Sequence, residues 1–214
     1  MHPSAGDYCL DFSGYPKFLR RIVFLWYSWH EISLRSRGRF PGQVRREPRF
    51  HETREQVFWG GRPPEMTNSH ELAFVDDGDI SYYLTWENGS FYVDSKERGS
   101  RHTYWMFRRF DDAEKYLAFL ISQMARPGRY TDSPSYRWYQ EGVNPRVTLS
   151  KPDPVNFPGR VSLWVDQEPA ARGWMGEGDA PAGSHVLVLS FDELDSILRQ
   201  GIPPDWSTVD ILPG

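Results

Sequence analysis

The dipeptide Asn88-Gly89 stands between two runs of strand-forming residues, Ile80 to Trp86 (ISYYLTW) and Phe91 to Ser95. Asn and Gly tolerate the positive φ angles that a type I′ turn requires at both central positions, so a two-residue hairpin is predicted and its register follows. Glu87 then faces Ser90, Trp86 faces Phe91, Thr85 faces Tyr92, Leu84 faces Val93 and Tyr83 faces Asp94. Successive side chains in a strand point to opposite faces. Ile80, Tyr82, Leu84, Trp86, Phe91 and Val93 therefore form a core face, and Ser81, Tyr83, Thr85, Glu87, Ser90, Tyr92 and Asp94 a wet one.

The hairpin extends into a meander. Glu71 to Val75 joins it through the turn cluster Asp76-Asp77-Gly78-Asp79, and Lys96 to Arg101 leads on to a fourth strand, His102 to Phe107. A helix is predicted over Phe110 to Ala125: Asp111 or Asp112 caps it, and Ala113, Leu117, Leu120, Ile121 and Met124 recur at helical spacing. Arg126-Pro127-Gly128 stops it. Arg137 to Tyr139, Arg146 to Leu149, Arg160 to Val165 and Val186 to Leu189 read as further strands, and the Gly-rich stretch 173–183 as a surface loop. Ser190 and Glu193 have the spacing of a capping box opening a short helix that ends at Gly201. The expected fold class is α+β: an antiparallel β-meander sheet with two helices packed on it. Residues 56–214 are expected to form that single domain.

Residues 1–55 read as a basic N-terminal extension. Residues 1–62 hold eleven Lys and Arg against six Asp and Glu, a net +5, whereas 63–214 hold fourteen against twenty-three, a net -9. The stretch 36–54 is Arg-rich with Pro41 and Pro48, the composition of a solvated linker. Phe18 to Trp29 fits a short helix or strand, which leaves open an element packed on the domain through Phe24, Leu25 and Trp26. No apolar run approaches a membrane span; the longest, Ile22 to Tyr27, is followed by Ser28, Trp29 and His30. No small-residue cleavage site follows it either, so a secretory signal fits poorly and the cytoplasm is the expected compartment. A single cysteine, Cys9, can form no internal disulfide.

Residues able to carry chemistry are sparse. The six histidines never occur at a metal-ligating spacing, Cys9 has no identifiable base, and no G-x-S-x-G or phosphate-loop pattern occurs. No metal or cofactor is expected. Asp76, Asp77 and Asp79 lack the later bidentate Glu of a calcium loop. Arg45, Arg46 and Arg49 with Phe50 belong to no nucleic-acid module, which makes nucleic acid an unfavoured partner. The wet hairpin face remains: Tyr83 and Tyr92 beside Asp94 and Glu87 make an aromatic and acidic mix of the kind found at interfaces. Cross-strand pairing of Tyr with Thr accounts for the same residues without a partner. An enzyme site assembled from scattered residues such as His102, Asp94 and Arg108, and a nucleic-acid role for the basic arm, are the alternatives.

Gln56-Val57-Phe58-Trp59, Ile80 to Tyr83, Asn88 to Val93 with Ser95 and Arg98, Phe107, and Glu114-Lys115-Tyr116-Leu117 resemble a bacterial immunity-protein family. That family, immunity protein sixty-one, includes the antitoxin of tuberculosis necrotizing toxin, an NAD-glycohydrolase. The resemblance covers roughly residues 55–130 and contains no catalytic signature. It implies a cytoplasmic, non-enzymatic inhibitor that binds a cognate bacterial toxin domain and blocks its active site. The basic extension departs from the family pattern.

Overall fold

Asn88 takes φ 50° and Gly89 φ 73°, so the turn forms at the predicted dipeptide. The computed structural model describes residue 10 and residues 12–39, 62–75 and 80–207. Helix α1 (Arg20–Ser36) is followed by strands β1 (Glu65–Asn68), β2 (Glu71–Val75), β3 (Ile80–Glu87), β4 (Ser90–Glu97) and β5 (Ser100–Phe107). Next come α2 (Phe110–Ala125), α3 (Pro134–Glu141), β6 (Val147–Ser150), β7 (Arg160–Val165), β8 (Gly173–Gly176), α4 (Ala180–Val188) and α5 (Phe191–Leu198). The strands form one antiparallel sheet in the order β1-β2-β3-β4-β5-β8-β7-β6. Leu84 opposite Val93 and Tyr83 opposite Asp94 are the pairs that the turn dictates.

One feature widens the meander beyond its four predicted strands and another bends it. Trp174 pairs with Met106 and Gly173 with Phe107, which splices β8 onto β5. Only glycine fits at 173, because a Cβ there would overlap the Met106 carbonyl oxygen. In the β4–β5 ladder, Val93 faces Trp105 but Asp94 faces Thr103, so the register skips Tyr104. Such a bulge bends a strand and re-aims the extra side chain.

The α+β class holds, with five α-helices and eight strands among the described residues. Arg137 to Tyr139 is helical within α3, where Ser133 caps the N-terminus by accepting from the Tyr136 N–H and Pro134 occupies the first turn. Val186 to Val188 is likewise helical, in α4, where Val186 and Leu187 are buried. The stretch 173–183 is β8 and the start of α4 rather than a surface loop. The capping box at Ser190 and Glu193 forms as predicted.

Helix α2 lies at the centre of the core. Leu117 and Ile121 are buried with Leu84 and Val93 of the hairpin, while Ile80, Trp86, Phe91 and Met124 pack half-buried around them. Helix α1 covers α2 from the other side, burying Ile22, Leu25, Trp26, Trp29 and Ile32, with Phe24 half-buried beside them. Burial of each such side chain contributes about 1.5–3 kcal/mol. Part of the expected extension is thus a packed element, the arrangement that Leu25 and Trp26 left open. Its Arg21 reaches the buried Glu114 of α2 as a charge-assisted pair.

Candidate functional site

The half of the sheet that faces away from α2 is organised by one rung. Glu71, Thr85, Tyr92, Met106, Trp174, Ser162 and Ser150 are successive partners from β2 across to β6. At the usual strand spacing these seven positions span about 29 Å. Tyr92, Met106 and Trp174 are contiguous in it, and all three are half-buried. Tyr83 and Trp164 lie on the same face in adjacent rungs.

Arg101 on β5 holds one end of this face together. Its Nε donates to Asp94 Oδ2 at 2.7 Å, and its Nη2 donates to Glu71 Oε2 at 2.6 Å and to Thr85 Oγ1 at 3.2 Å. Its guanidinium carbon sits 4.0 Å from the centre of the Tyr83 ring. Thr67 and Thr85 also donate to Glu71. Burial pushes the Glu71 carboxyl up, but the donors from Arg101, Thr67 and Thr85 outweigh it, so the group titrates below its usual value. Burial likewise disfavours the Arg101 cation, and Glu71 and Asp94 more than compensate. At the other end Arg160 stacks 3.7 Å from the Trp174 ring centre and 4.0 Å from that of Phe157, while Trp164 Nε1 donates to Ser150 Oγ at 3.0 Å.

The four candidate residues read from sequence fall into different environments. Tyr83 and Tyr92 are half-buried, and Glu87 is exposed beside the turn. Asp94 is 8% exposed and lies beneath Arg101, with Oδ1 buried and unpaired. The trio Asp94, His102 and Arg108 is not assembled: Asp94 faces Thr103 and His102 faces Ser95, which puts the two on opposite sides of the sheet. Sequence reasoning missed Arg101, Glu71, Met106 and Trp174. Strict alternation from the buried Trp105 and Phe107 would put Arg101 on the core face; the bulge at Tyr104 turns it to the open one, and neither that bulge nor the reach of Arg101 to Glu71, two strands beyond β4, carries a local signal.

Among the described residues, no three of His, Cys, Asp and Glu are grouped so as to hold a metal ion, and no helix is long and apolar enough to cross a membrane. Cys9, the Asp76-Asp77-Asp79 turn, Gln56 to Trp59 and the cluster Arg45, Arg46, Arg49 and Phe50 lie outside the described residues.

No family model matches the chain, and neither does any curated protein. Among solved structures, the chain is similar to Rv3902c from M. tuberculosis, with a TM-score of 0.48 and 19% sequence identity over 64% of this chain and 80% of that one.

Proposed function

We propose that the protein is a bacterial immunity protein, a non-enzymatic inhibitor that binds a cognate toxin domain, of the NAD-degrading class, in the cytoplasm. The observation that carries this reading is the aromatic rung: Tyr92, Met106 and Trp174 side by side, flanked by Tyr83 and braced by Arg101. Aromatic and Arg side chains dominate binding energy when a partner buries them. A face about 29 Å across accommodates the roughly 800 Å² per partner of a standard interface. The residue patterns shared with immunity protein sixty-one supply the choice of partner. The net -9 of residues 63–214 fits a basic toxin cleft shaped to hold an anionic dinucleotide.

Co-expression with the toxin domain encoded beside its gene tests the reading. Growth should be rescued, the two chains should co-elute, and added salt should slow association more than it speeds dissociation. Tyr92→Ala should weaken the complex at an unchanged melting temperature. Absence of both rescue and co-elution refutes the immunity reading. Full rescue by a Tyr83→Ala/Tyr92→Ala double variant removes this face from it.

A further inference from the structure

The opposite, helix-covered side of the sheet opens into a cleft of about 420 Å³ at the edge of the meander. That volume lies within the roughly 300–1,000 Å³ of small-molecule sites. Its walls are aromatic: Tyr82, Tyr104 and Trp105 from the sheet, Tyr116 from α2, Tyr139 from α3, and Tyr130 between the two helices. Trp105 and Tyr116 form a buried floor, their ring centres 5.3 Å apart, whereas Tyr104, Tyr130 and Tyr139 stand 41%, 58% and 56% exposed at the rim. The bulge at Tyr104 is what carries that residue to the rim beside Trp105, at 5.4 Å.

The charge in the cleft has one sign. Asp179, at the start of α4, and Glu97, at the end of β4, both line it, and no Lys, Arg or His does so among the described residues. Asp179 accepts a hydrogen bond from Trp105 Nε1 at 2.9 Å, and no cation pairs with it among the described residues. Burial pushes its carboxyl up, and the indole donor offsets this only in part. Ser95, 3% exposed, also lines the cleft, and its Oγ has no hydrogen-bond partner.

We propose that this cleft binds an organic cation, an alkylated ammonium or a guanidinium group, held between the rim tyrosines and Trp105 and neutralised by Asp179, with Glu97 at the mouth. A cation over aromatic faces is attracted by the ring quadrupoles, and more strongly once water is expelled. An anion would meet two carboxylates, and a neutral ligand would leave the half-buried Asp179 charge uncompensated. Ser95 Oγ offers an acceptor to an ammonium or guanidinium N–H. The site faces away from Tyr83 and Tyr92, so it stands or falls independently of the toxin reading.

This chemistry has two sources, a free small molecule and the Arg side chain of a bound protein, and the probes separate them. Choline stands for the first, N-acetylarginine amide for the second, and 3,3-dimethylbutan-1-ol is the uncharged isostere of choline. Titration into the full chain, read by calorimetry and by the Trp105 indole N–H resonance, should show saturable binding of at least one cation. The isostere should bind about tenfold more weakly or worse. Asp179→Asn and Tyr139→Ala should each weaken the cation about tenfold. Tyr139 is more than half exposed, so its variant keeps the test valid if Asp179→Asn does not fold. Choline binding alone assigns a free cation, and arginine amide binding alone or more tightly assigns a protein side chain. Failure of both cations at millimolar concentration, equal binding of the isostere, or indifference to both substitutions overturns the proposal.

Discussion

Replacement of Lys115 by Met tests whether α2 organises the core as its contacts indicate. Lys115 Nζ donates to the carbonyls of Leu187 at 2.9 Å and Leu189 at 3.0 Å, and pairs with Asp112 Oδ1 at 3.1 Å. The last carbonyls of a helix lack intrahelical donors and form the negative end of its dipole. Lys115 thus ties the end of α4 to α2. Met has nearly the same length and removes only the charge and the donors. Two orphaned carbonyls cost about 1–3 kcal/mol each. Asp112 is not abandoned, because Arg172 Nη1 remains 3.2 Å away, and removing the ammonium also removes its own desolvation cost. The balance is a loss of about 2–4 kcal/mol. For a chain of this size that corresponds to a fall in Tm of about 4–16 °C. Thermal and urea unfolding of the two proteins, followed by circular dichroism, measure it. A Tm within about 2 °C of the parent would refute the reasoning, since water would then be satisfying both carbonyls.

Gly173→Ala should cost about 1–3 kcal/mol or more, because its Cβ would meet backbone rather than a movable side chain; an unchanged urea midpoint would deny the β5–β8 splice. Leu84→Ala should lose about 2–5 kcal/mol as a core truncation, in contrast to Tyr92→Ala on the other face, and equal losses would contradict the division of faces. His30 stacks 3.7 Å from Trp26, and burial lowers its pKa to about 4. The unfolded chain therefore takes up a proton as pH falls through the ordinary 6.5, whereas the folded chain does so only near 4, and stability is lost between those values. The loss is about 2–3 kcal/mol, trimmed because the ring is partly exposed, and His30→Gln should flatten that part of the stability-against-pH curve.

The hairpin and α2 were legible because each repeats a strong period and ends at a residue with one conformational use: Asn88-Gly89 in the turn, Pro127-Gly128 after the helix. The helix at α4 was misread because Val186-Leu187-Val188 is a short apolar run, which periodicity alone assigns to neither helix nor strand. The decisive signal lay upstream, in Pro181 within the first turn. Ser133-Pro134 marked α3 in the same way. Helix α1 does carry a stripe, Ile22, Leu25, Trp26, Trp29 and Ile32 at helical spacing, but Val23, Tyr27 and Leu34 are buried beside it and blur its edge in the sequence. Of the candidate face, alternation marked Tyr83 and Tyr92. The cleft was invisible, since it gathers Trp105, Tyr139 and Asp179 from three distant segments.

On the proposed reading, the Arg101 network would make stability and recognition overlap on the open face. Tyr83 is stacked under a guanidinium that is itself held by Glu71 and Asp94, and Asp94 is buried in the process. A partner that covers Tyr83 would meet a ring already placed, and would not have to supply the roughly 0.5–1.5 kcal/mol of immobilising a free side chain. Asp94, read from sequence as a contact residue, acts one step back from that surface: it fixes the cation that fixes the ring. A buried, paired carboxylate contributes little direct contact, whereas removing it leaves the Arg101 Nε without its acceptor and the guanidinium held by Glu71 and Thr85 alone. If the proposed partner docks on this face, the contact energy would sit with Tyr83, Tyr92, Met106 and Trp174, and the acidic residues beside them would set the shape that those side chains present.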